Sequence, residues 1–428
     1  MVVKQTHHAA IRTILDCCLS LFPHLAFDHK MSAAIPNDPA AKGQLDDKRP
    51  DDRQPHMVFD TVDLDVVVKV LSKTIFSPMF VVFLPLTLLS QVGSSHPAFL
   101  ATCVWTAIIC FLALWKHVDR IYANQATWLL APPKLKWDDQ IVLITGGGSG
   151  IGALLAETLA MRNVSVVVLT KYPPQYETIN ENIYTYICDV SDFKTVQTVA
   201  ERVREEVGDP TVIVNNAGIV KGKLLLDLTE EDVQTTFGCN TLANFWVLKA
   251  FLPAMLRKGQ GHIITVSSLL GLLGAAQMSD YCASKAALIS LHQTLRFELD
   301  NRYKTPAIRT TLVLPAYILT ALFDRIRFPT GRVFDFFCPP VPPHAIVKQI
   351  ISALDANESR VIRLPFYTNL ARFSGDGVGL VPAWMRDLMQ WLLGADHVMK
   401  GYGPSPDAGE RLEVERLQQQ QGHGVNEK

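Results

Sequence analysis

The sequence lacks the features that identify a metal centre or a nucleic-acid-binding protein. Its eight cysteines are scattered apart from the adjacent pair Cys17 and Cys18, so no CxxC or Cys/His spacing predicts a metal site. The formal net charge is only −1, so no overall positive field attracts nucleic acid. Scattered thiols indicate a reducing compartment, in the cytosol or beside it. We therefore predict neither a metal nor a nucleic-acid partner.

Charge is absent from one long stretch of the chain. No Lys, Arg, Asp or Glu occurs between residues 74 and 115, which hold two apolar segments, 75–92 and 98–115, joined by a short turn. Each segment is near the lower length limit for crossing a hydrocarbon core of about 30 Å. Both are apolar all round, which disfavours a buried core helix. The sequence therefore predicts a membrane hairpin within residues 57–137.

The basic residues around this hairpin predict its orientation. They lie outside the apolar pair, and none lies in the turn between its segments: Lys69, Lys73, Lys116, Arg120, Lys134 and Lys136. The positive-inside rule then places both outer ends in the cytosol. Pro78 and Pro85 leave open a hairpin that enters one leaflet only. We expect an endoplasmic reticulum or lipid-droplet membrane, with the domain that follows the hairpin in the cytosol.

The two ends of the chain carry weaker signals. Residues 1–56 are predicted to be a disordered arm, because their apolar stretch is short and interrupted and the rest is polar. A poorly formed signal peptide and alternative starts at Met31 or Met57 are left open. Residues 403–428 are predicted to be a flexible tail.

Residues 339–402 are predicted to be a helical extension. A Pro-rich turn opens it, a helix is expected at 345–354, and apolar residues follow at helical spacing over 377–395. The second helix can pack on its own domain or lie on the membrane surface, and the sequence leaves both readings open.

Residues 138–338 are predicted to form an α/β domain with a Rossmann-type, doubly wound parallel sheet. Apolar strands alternate there with helical stretches. Thr229 and Asp232 resemble a helix N-cap and its acidic third position, which predicts one long helix running to Lys258. The expected strands are 141–145, 164–169, 183–188, 211–215, 261–267 and 308–314.

A glycine-rich turn follows the first predicted strand and opens a helix. Its candidate cofactor-binding residues are Gly146, Ser149, Gly150, Ile151 and Gly152. Glycines leave no side chain between backbone and phosphate, and a helix N-terminus offers free N–H groups to an anion. Strand, glycine turn and helix together are typical of a site for a dinucleotide pyrophosphate.

A second group of residues carries acid–base chemistry. Tyr281 and Lys285 are four residues apart and share one face of a predicted helix. An ordinary tyrosine pKa of about 10 is too high for proton transfer near neutrality, and a neighbouring ammonium lowers it. Ser268 ends a strand at the carboxyl edge of the sheet, where ligands bind. A surface Tyr–Lys pair with no function is the alternative.

These motifs together resemble the short-chain dehydrogenase/reductase superfamily, over about residues 138–325. The matching residues are the glycine-rich turn 145–152, Asn215 to Gly218, Asn240, Ser268, Tyr281 and Lys285. The resemblance implies a catalytic tetrad of Asn240, Ser268, Tyr281 and Lys285, of which Tyr281 and Lys285 also contact the cofactor. It further implies cofactor contacts from Asp189, Val190, Asn216, Ala217, Gly218 and Thr320. Ala316 stands where the family usually has glycine.

The end of the second strand bears on the choice of cofactor. Thr170 and Lys171 stand where an acidic residue would bind the ribose 2′-hydroxyl of NAD. Without a carboxylate, and with an adjacent cation, the site favours a 2′-phosphate. We predict NADP(H) and leave NAD(H) open.

The substrate evidence comes from apolar residues and from the hairpin. Leucines at 269, 270, 272, 273 and 322 and phenylalanines at 323, 328, 334, 336 and 337 either line a cleft or belong to the core. Segments 244–246 and 250–255 resemble a membrane-attached branch that includes retinol and hydroxysteroid dehydrogenases. These features predict an oxidoreductase acting on a lipophilic alcohol or ketone such as a sterol, retinoid or long-chain lipid.

Two rival functions remain at this point. One is an NAD-dependent dehydrogenase of the retinol type. The other is a catalytically idle fold that serves as a membrane or lipid-droplet scaffold. Helical faces of this fold often pair, so the sequence also leaves a homodimer open.

Overall fold

A computed structural model describes residues 63–124, 132–174, 176, 180–323 and 332–371, together with residues 382, 384, 385, 388 and 399. The expectations for residues 1–56 and 403–428, and for nearly all of the helical stretch 377–395, lie outside this part of the chain.

The catalytic domain is built on a seven-stranded parallel sheet. Its strand order is β3-β2-β1-β4-β5-β6-β7, and every neighbouring pair is parallel. The strands are β1 (Ile141–Thr145), β2 (Ser165–Thr170), β3 (Ile183–Ile187), β4 (Val212–Asn215), β5 (Gly261–Val266), β6 (Ile308–Pro315) and β7 (Arg360–Leu364). The order reverses between β1 and β4, which places a ligand crevice at the carboxyl ends of these strands. The six predicted strands are confirmed to within one residue at each end.

The seventh strand was not predicted. β7 pairs with β6 in register from Thr311↔Arg360 to Pro315↔Leu364, so the sheet continues past residue 338 into the segment assigned to a helical extension. The sequence Arg360 to Leu364 carries two arginines in five residues and reads as a polar connection. An edge strand tolerates such residues, because charges there discourage pairing with another chain.

Helices cover both faces of the sheet, as the doubly wound fold predicts. One apolar core contains Leu155, Leu159 and Ile350 from two helices on one face, and the other contains Val199, Phe251 and Leu299 from three helices on the opposite face. Four helices of the N-terminal segment, described below, precede this domain, so its helices are numbered from α5. They are α5 (Gly150–Ala160), α6 (Phe193–Glu206), α7 (Glu230–Phe237), α8 (Ala243–Lys258), α9 (Ser279–Asn301), α10 (Arg332–Phe337), α11 (Pro343–Asp355) and α12 (Thr368–Ala371).

The long helix predicted from Thr229 to Lys258 is wrong in one respect. The capping box of Thr229 and Asp232 is present, but a π-helical turn, Gly238–Leu242, separates α7 from α8. Such turns insert one extra residue into the helix and occur frequently at functional sites. This turn contains Asn240.

The N-terminal segment forms a helical hairpin whose first arm is broken. The helix predicted over 75–92 is present from Pro78 onward, and the expected kink lies at Pro78. The arm consists of α1 (Leu64–Lys73), α2 (Pro78–Val81) and α3 (Phe83–Val92), with a bend of 48° between residues 64–73 and residues 78–91. Pro78 lacks a backbone N–H and starts a new helix instead of continuing the first. The second arm, α4 (Pro97–Ala123), has 27 residues and extends beyond the predicted end at 115.

By length and composition α4 can cross a membrane, and within the described residues the bent first arm is the one further candidate. Only 6% of the apolar window of α4 is buried inside the protein, which distinguishes it from a core helix. Bonds to backbone carbonyls join the arms: Trp105 donates to Ile75 at 3.2 Å, and Thr106 donates to Val81 at 3.1 Å.

The C-terminal end of α4 is fixed to the β6–β7 edge of the sheet. Glu358 accepts hydrogen bonds from Arg120 of α4 and from Arg360 of β7, the latter at 2.9 Å. Asn124 accepts a bond of 2.6 Å from the backbone N–H of Ser359, and its carbonyl accepts one of 2.6 Å from Arg309. We call this group the hairpin joint.

Candidate active site

The glycine-rich turn has a backbone path that only glycine permits. Gly146 has φ +63°, and a Cβ there would lie 2.9 Å from the Cα of Ala217. A Cβ at Gly152 would lie 2.6 Å from the side-chain nitrogen of Asn216. The predicted residues of the turn and of the loop after β4 therefore pack backbone against backbone, which leaves room for a pyrophosphate on the outer side.

The N-terminus of α5 is open to an anion. Ser149 is its N-cap and is exposed, yet its side chain caps no backbone N–H. Ile151, the second residue of the helix, is buried in the core and anchors it. The first N–H groups of a helix have no partners within it, and they carry the positive end of its dipole. This cradle fits the diphosphate of a dinucleotide.

Thr145 and Asn216 hold the turn in place. The hydroxyl of Thr145 accepts hydrogen bonds from the backbone N–H groups of Asn216 and Ala217, at 3.0 and 3.1 Å. The amide of Asn216 in turn donates to the carbonyls of Thr145 and Gly146, both at 3.1 Å. No separate role was predicted for Thr145, although a threonine at a strand end beside a glycine-rich turn is a signal for it.

The predicted adenosine side lies at the ends of β2 and β3. Lys171 and Asp189 form an ion pair of 2.7 Å, in which the lysine is exposed and the aspartate is partly exposed. The hydrogen bond from Lys171 to Asp189 raises the pKa of the ammonium. Burial alone would raise the pKa of Asp189, but hydrogen bonds from Lys171 and Ser191 lower it overall. Thr170 and Val190 are buried at this end of the crevice.

Asn240 connects three elements at the centre of the site. Its side-chain oxygen accepts a bond of 2.8 Å from the backbone N–H of Ile219, and its amide donates to the Ile219 carbonyl at 3.1 Å and to the Ser284 hydroxyl at 3.0 Å. Ser284 donates to the carbonyl of Tyr281 at 2.7 Å. The π-helical turn thus fixes both the loop after β4 and the first turns of α9. Ser284 was not predicted, because a small residue between Tyr281 and Lys285 gives no signal of its own.

Lys285 is a buried cation beside this network. Its side chain is 3% exposed, and burial lowers the pKa of its ammonium to about 8. The ammonium lies 5.6 Å from the ring centroid of Tyr281 and donates a bond of 3.2 Å to the carbonyl of Val266. A Cβ on Gly218 would lie 3.3 Å from the Lys285 nitrogen. An ammonium has three protons to donate, so this group fits the ribose hydroxyls of a dinucleotide.

Ser268 lies where β5 ends and a short helical turn begins. Its hydroxyl accepts a bond of 3.1 Å from the backbone N–H of Leu270, which leaves the proton of the hydroxyl for another partner. The preceding Ser267 donates to the carbonyl of Lys285 at 2.8 Å, so the end of β5 is attached to α9. A Cβ on Gly271 would lie 2.8 Å from the same carbonyl, which shows how closely the turn approaches the helix.

Tyr281 faces an apolar cluster. Val220, Met278, Phe323 and Met399 are buried around it. The ring of Phe323 meets the tyrosine edge-on, with centroids 6.4 Å apart. Met399 is 1% exposed, so a residue far along the C-terminal segment reaches the site. This contact was not predicted, because a single methionine carries no periodicity.

Some of the apolar residues predicted to line a cleft or to belong to the core lie beside Tyr281, and others pack in the core. Leu270, Leu322 and Phe323 pack beside Tyr281. Leu272 instead packs on a core cluster of α9 and β6. The rings of Phe336 and Phe337 pack on each other at 5.0 Å. Phe328 lies outside the described residues, and the side chain of Phe334 is not described.

Thr320 lies across the crevice from the glycine turn. A Cβ on Gly150 would lie 3.7 Å from its methyl group. Its backbone carbonyl accepts a bond of 2.9 Å from Phe323, which starts a short helical turn. The loop after β6 therefore links the predicted nicotinamide contact at Thr320 to the apolar cluster at Phe323.

The predicted catalytic residues thus meet at one edge of the sheet, between a cradle for a diphosphate and an apolar cluster. A buried lysine, a tyrosine one turn before it and a serine at a strand end are the residue types that a site for proton transfer beside a hydride carrier requires.

Comparisons with known proteins agree with this arrangement. The short chain dehydrogenase family model matches residues 140–329. Retinol dehydrogenase 10 of Homo sapiens is 36% identical over 279 residues, which cover 58% of this chain and 80% of that protein. Retinol dehydrogenase 10-B of Danio rerio is 35% identical over 274 residues, with the same coverage.

A third relative extends the match. Retinol dehydrogenase 10-A of Danio rerio is 32% identical over 325 residues, covering 68% of this chain and 92% of its own length. The family acts on CH–OH groups with NAD(P), and the chain is an oxidoreductase of this kind. By its sequence motifs, its fold and its relatives, the chain belongs to the short-chain dehydrogenase family.

Proposed function

We propose that the protein is an NADP(H)-dependent oxidoreductase that interconverts a lipophilic alcohol and its ketone or aldehyde. One observation carries this proposal: the buried ammonium of Lys285 lies 5.6 Å from the ring of Tyr281, beside the loop that closes on the glycine-rich turn. A buried, desolvated lysine costs stability, and a fold with no chemistry to perform gains nothing from it.

Each residue of the tetrad has a distinct part in this reaction. Tyr281 exchanges a proton with the substrate oxygen, and Ser268 donates a hydrogen bond that holds and polarises that oxygen. The ammonium of Lys285 stabilises the phenolate form of Tyr281 and binds ribose hydroxyls. Asn240 holds the loop of Ile219 against α9 and so keeps Lys285 in place. The bound nicotinamide supplies or accepts the hydride.

Lys171 supports the preference for NADP(H). Its ammonium is exposed at the adenosine end of the crevice, where a ribose 2′-phosphate would lie, and its present partner is the exposed carboxylate of Asp189. A phosphate with nearly two negative charges offers a stronger partner than one carboxylate. We propose that Lys171 exchanges Asp189 for the 2′-phosphate when NADP(H) binds.

The substrate class follows from the surroundings of Tyr281. Met278, Phe323, Leu270 and Met399 make this side of the site apolar, which suits a hydrocarbon chain or ring. The relatives above are retinol dehydrogenases by name. We propose a retinoid-like or other lipophilic alcohol, taken up from the membrane that the hairpin enters.

The hairpin supports attachment to a membrane. The 27-residue α4 exposes apolar side chains along most of its length, and Arg120 at its end contacts the catalytic domain. We propose that α4 enters an endoplasmic reticulum or lipid-droplet membrane and that the catalytic domain lies in the cytosol, on the side of Lys69, Lys73, Lys116 and Arg120.

The test is a turnover assay on purified membranes. A panel of retinoids, sterols and long-chain alcohols, with their ketones or aldehydes, is incubated with NADP⁺ or NADPH and in parallel with NAD⁺ or NADH. The proposal predicts turnover of at least one lipophilic pair, faster with the phosphorylated cofactor and lost in Tyr281→Phe. No turnover with any pair would favour the idle membrane scaffold, and faster turnover with NAD⁺ would favour the NAD-dependent alternative.

A further inference from the structure

A cavity of about 440 Å³ lies where the hairpin meets the catalytic domain, away from the catalytic residues. α1 contributes Val68 and Leu71, and α4 contributes Leu112 and Ala113. Phe366, from the turn that follows β7, closes the cavity on the side of the catalytic domain. The volume lies in the range of protein pockets that hold small lipophilic ligands, about 300–1,000 Å³.

One cation lines this otherwise apolar space. Lys116 of α4 is exposed and forms no ion pair with any residue that the structure describes. Lys69 and Lys73 lie on α1 beside the residues that line the cavity, and they too are exposed. A mainly apolar cavity with Lys116 in its lining is complementary to an amphiphile with a negative head and a hydrocarbon tail.

The position of the cavity identifies the source of that amphiphile. Its lining residues belong to the helices that expose apolar surface along the hairpin, next to basic residues that mark the cytosolic end. Basic pockets between membrane helices on the cytosolic side bind anionic lipid head groups, and each lysine near an anionic surface contributes about 1 kcal/mol. Lipid chains are also the most abundant apolar groups at this depth.

We infer that the cavity is a binding site for an anionic phospholipid of the cytosolic leaflet, with one acyl chain between α1 and α4 and the head group on Lys116. The inference rests on the proposed membrane attachment and is independent of the redox chemistry. Since the turn at Phe366 is also bonded to α1, by its N–H donating to Asp65 at 2.8 Å, the lipid would join both arms of the hairpin to the catalytic domain.

The test uses the full-length protein in nanodiscs of phosphatidylcholine with and without phosphatidylserine, and native mass spectrometry counts the retained lipids. Wild type should retain phosphatidylserine in preference to phosphatidylcholine. Lys116→Gln should weaken this preference about fivefold, the equivalent of about 1 kcal/mol. Lys134→Gln, an exposed lysine outside the cavity, is the matched control and should behave as wild type.

A second variant tests the apolar half of the site. Ala113→Phe should fill the cavity and reduce retention of both lipids. If this variant does not fold, hydrogen exchange of wild type replaces it: phosphatidylserine should slow exchange at 64–73 and 366–371, and phosphatidylcholine should not.

Three outcomes would overturn the lipid site. They are equal loss in Lys116→Gln and Lys134→Gln, unchanged retention in a folded Ala113→Phe, and one-for-one displacement of phosphatidylserine by a lipophilic alcohol, which would make the cavity part of the substrate route. Carbonate extraction of wild-type membranes separates the two proposals. A protein released by carbonate contradicts membrane attachment itself, whereas a retained protein without lipid preference contradicts only this site.

Discussion

The ammonium of Lys285 lies 5.6 Å from the ring centroid of Tyr281, one helical turn earlier on α9. Their backbone carbonyls are held by different elements: Ser267 at the end of β5 donates to the carbonyl of Lys285, and Ser284 on α9 donates to that of Tyr281. The pair is therefore fixed by the backbone of the sheet and helix rather than by contacts between exposed side chains, and its chemistry can be tested residue by residue.

Replacing Tyr281 by phenylalanine should abolish turnover and leave cofactor binding intact. The change removes one hydroxyl from a buried ring, so the proton donor is lost while the packing against Phe323 remains. General acid–base catalysis contributes about 10²- to 10⁴-fold, and kcat should fall by at least 100-fold. Steady-state assays and a fluorescence titration with NADPH measure the two effects. Tyr303→Phe, at a half-exposed tyrosine, should keep full activity; similar kcat values in both variants would remove Tyr281 from the mechanism.

Replacing Lys171 by glutamate should reverse the cofactor preference. The new carboxylate would repel a 2′-phosphate and can accept hydrogen bonds from a ribose 2′-hydroxyl. The Kd for NADPH should rise at least about tenfold, as expected for the loss of a charge-assisted hydrogen bond, and the Kd for NADH should change much less. Fluorescence titrations with both cofactors measure this, with Lys258→Glu at the far end of α8 as the control. Equal changes for the two cofactors would contradict the assignment.

Replacing Lys285 by methionine should stabilise the cofactor-free protein near neutral pH while abolishing turnover. Burial lowers the pKa of Lys285 to about 8 from 10.5, so the unfolded chain binds this proton more tightly than the folded protein does. Below pH 8 the full cost of the buried charge is present, and stability should rise with pH between about 8 and 10.5. The gain at pH 7 is of the order of 1–3 kcal/mol.

Thermal unfolding at several pH values measures this effect. The Tm of Lys285→Met should exceed that of wild type at pH 7, and the difference should shrink as the pH approaches 10.5. Lys348→Met, at an exposed lysine of α11, should leave the Tm nearly unchanged. A lower Tm for Lys285→Met at pH 7 would show that the ammonium contributes more through its bond to Val266 than its burial costs.

Replacing Glu358 by alanine should loosen the hairpin joint. This carboxylate is 3% exposed and joins Arg120 of the hairpin to Arg360 of the sheet. Both arginines are partly exposed and recover hydration when it is lost, so we expect a cost of about 1–3 kcal/mol. The Tm should fall, and limited proteolysis should cut faster near residue 124.

Arg162→Ala, in an exposed pair with Asp355, is the control and should cost less than about 1 kcal/mol. Equal effects would mean that the joint contributes no more than a surface ion pair.

The joint should also respond to acid. Burial alone would raise the pKa of Glu358, but hydrogen bonds from Arg120 and Arg360 lower it below its ordinary 4.5. The stabilisation is therefore present above pH 4.5 and is lost as the pH falls through the lowered value. Wild type and Glu358→Ala should converge in Tm at acidic pH, and parallel Tm curves over the whole range would contradict this account.

Much of the sheet could be predicted because its interior strands are buried on both faces. Residues such as Val166 to Val168 form continuous apolar runs, and a central parallel strand permits little else. β7 escaped prediction because it is an edge strand, where Arg360 and Arg363 are tolerated. The apolar composition of the first hairpin arm predicted a helix there but did not predict its bounds. Pro78 marks the point where α2 begins.

The residues of the candidate site also fall into those that the sequence could predict and those that it could not. The residues with distinctive chemistry or spacing, such as Tyr281, Lys285 and the glycines of the turn, could be recognised before any fold was known. The residues that hold them, Thr145 and Ser284, act through bonds to backbone groups distant in sequence. Met399 meets Tyr281 only because the chain returns after more than 100 residues. Such contacts depend on tertiary structure and leave no periodic pattern.

The bond between Asn124 and Ser359 joins residues that are 235 positions apart. On the proposed membrane attachment, the hairpin would leave the ribosome and enter the bilayer before β7 is made, so it could not yet contact the sheet. Its orientation would then depend on lipid and on flanking charge, and the catalytic domain would dock onto it afterwards. β7, the last strand of the sheet in chain order, would therefore hold the hairpin only once the domain is complete.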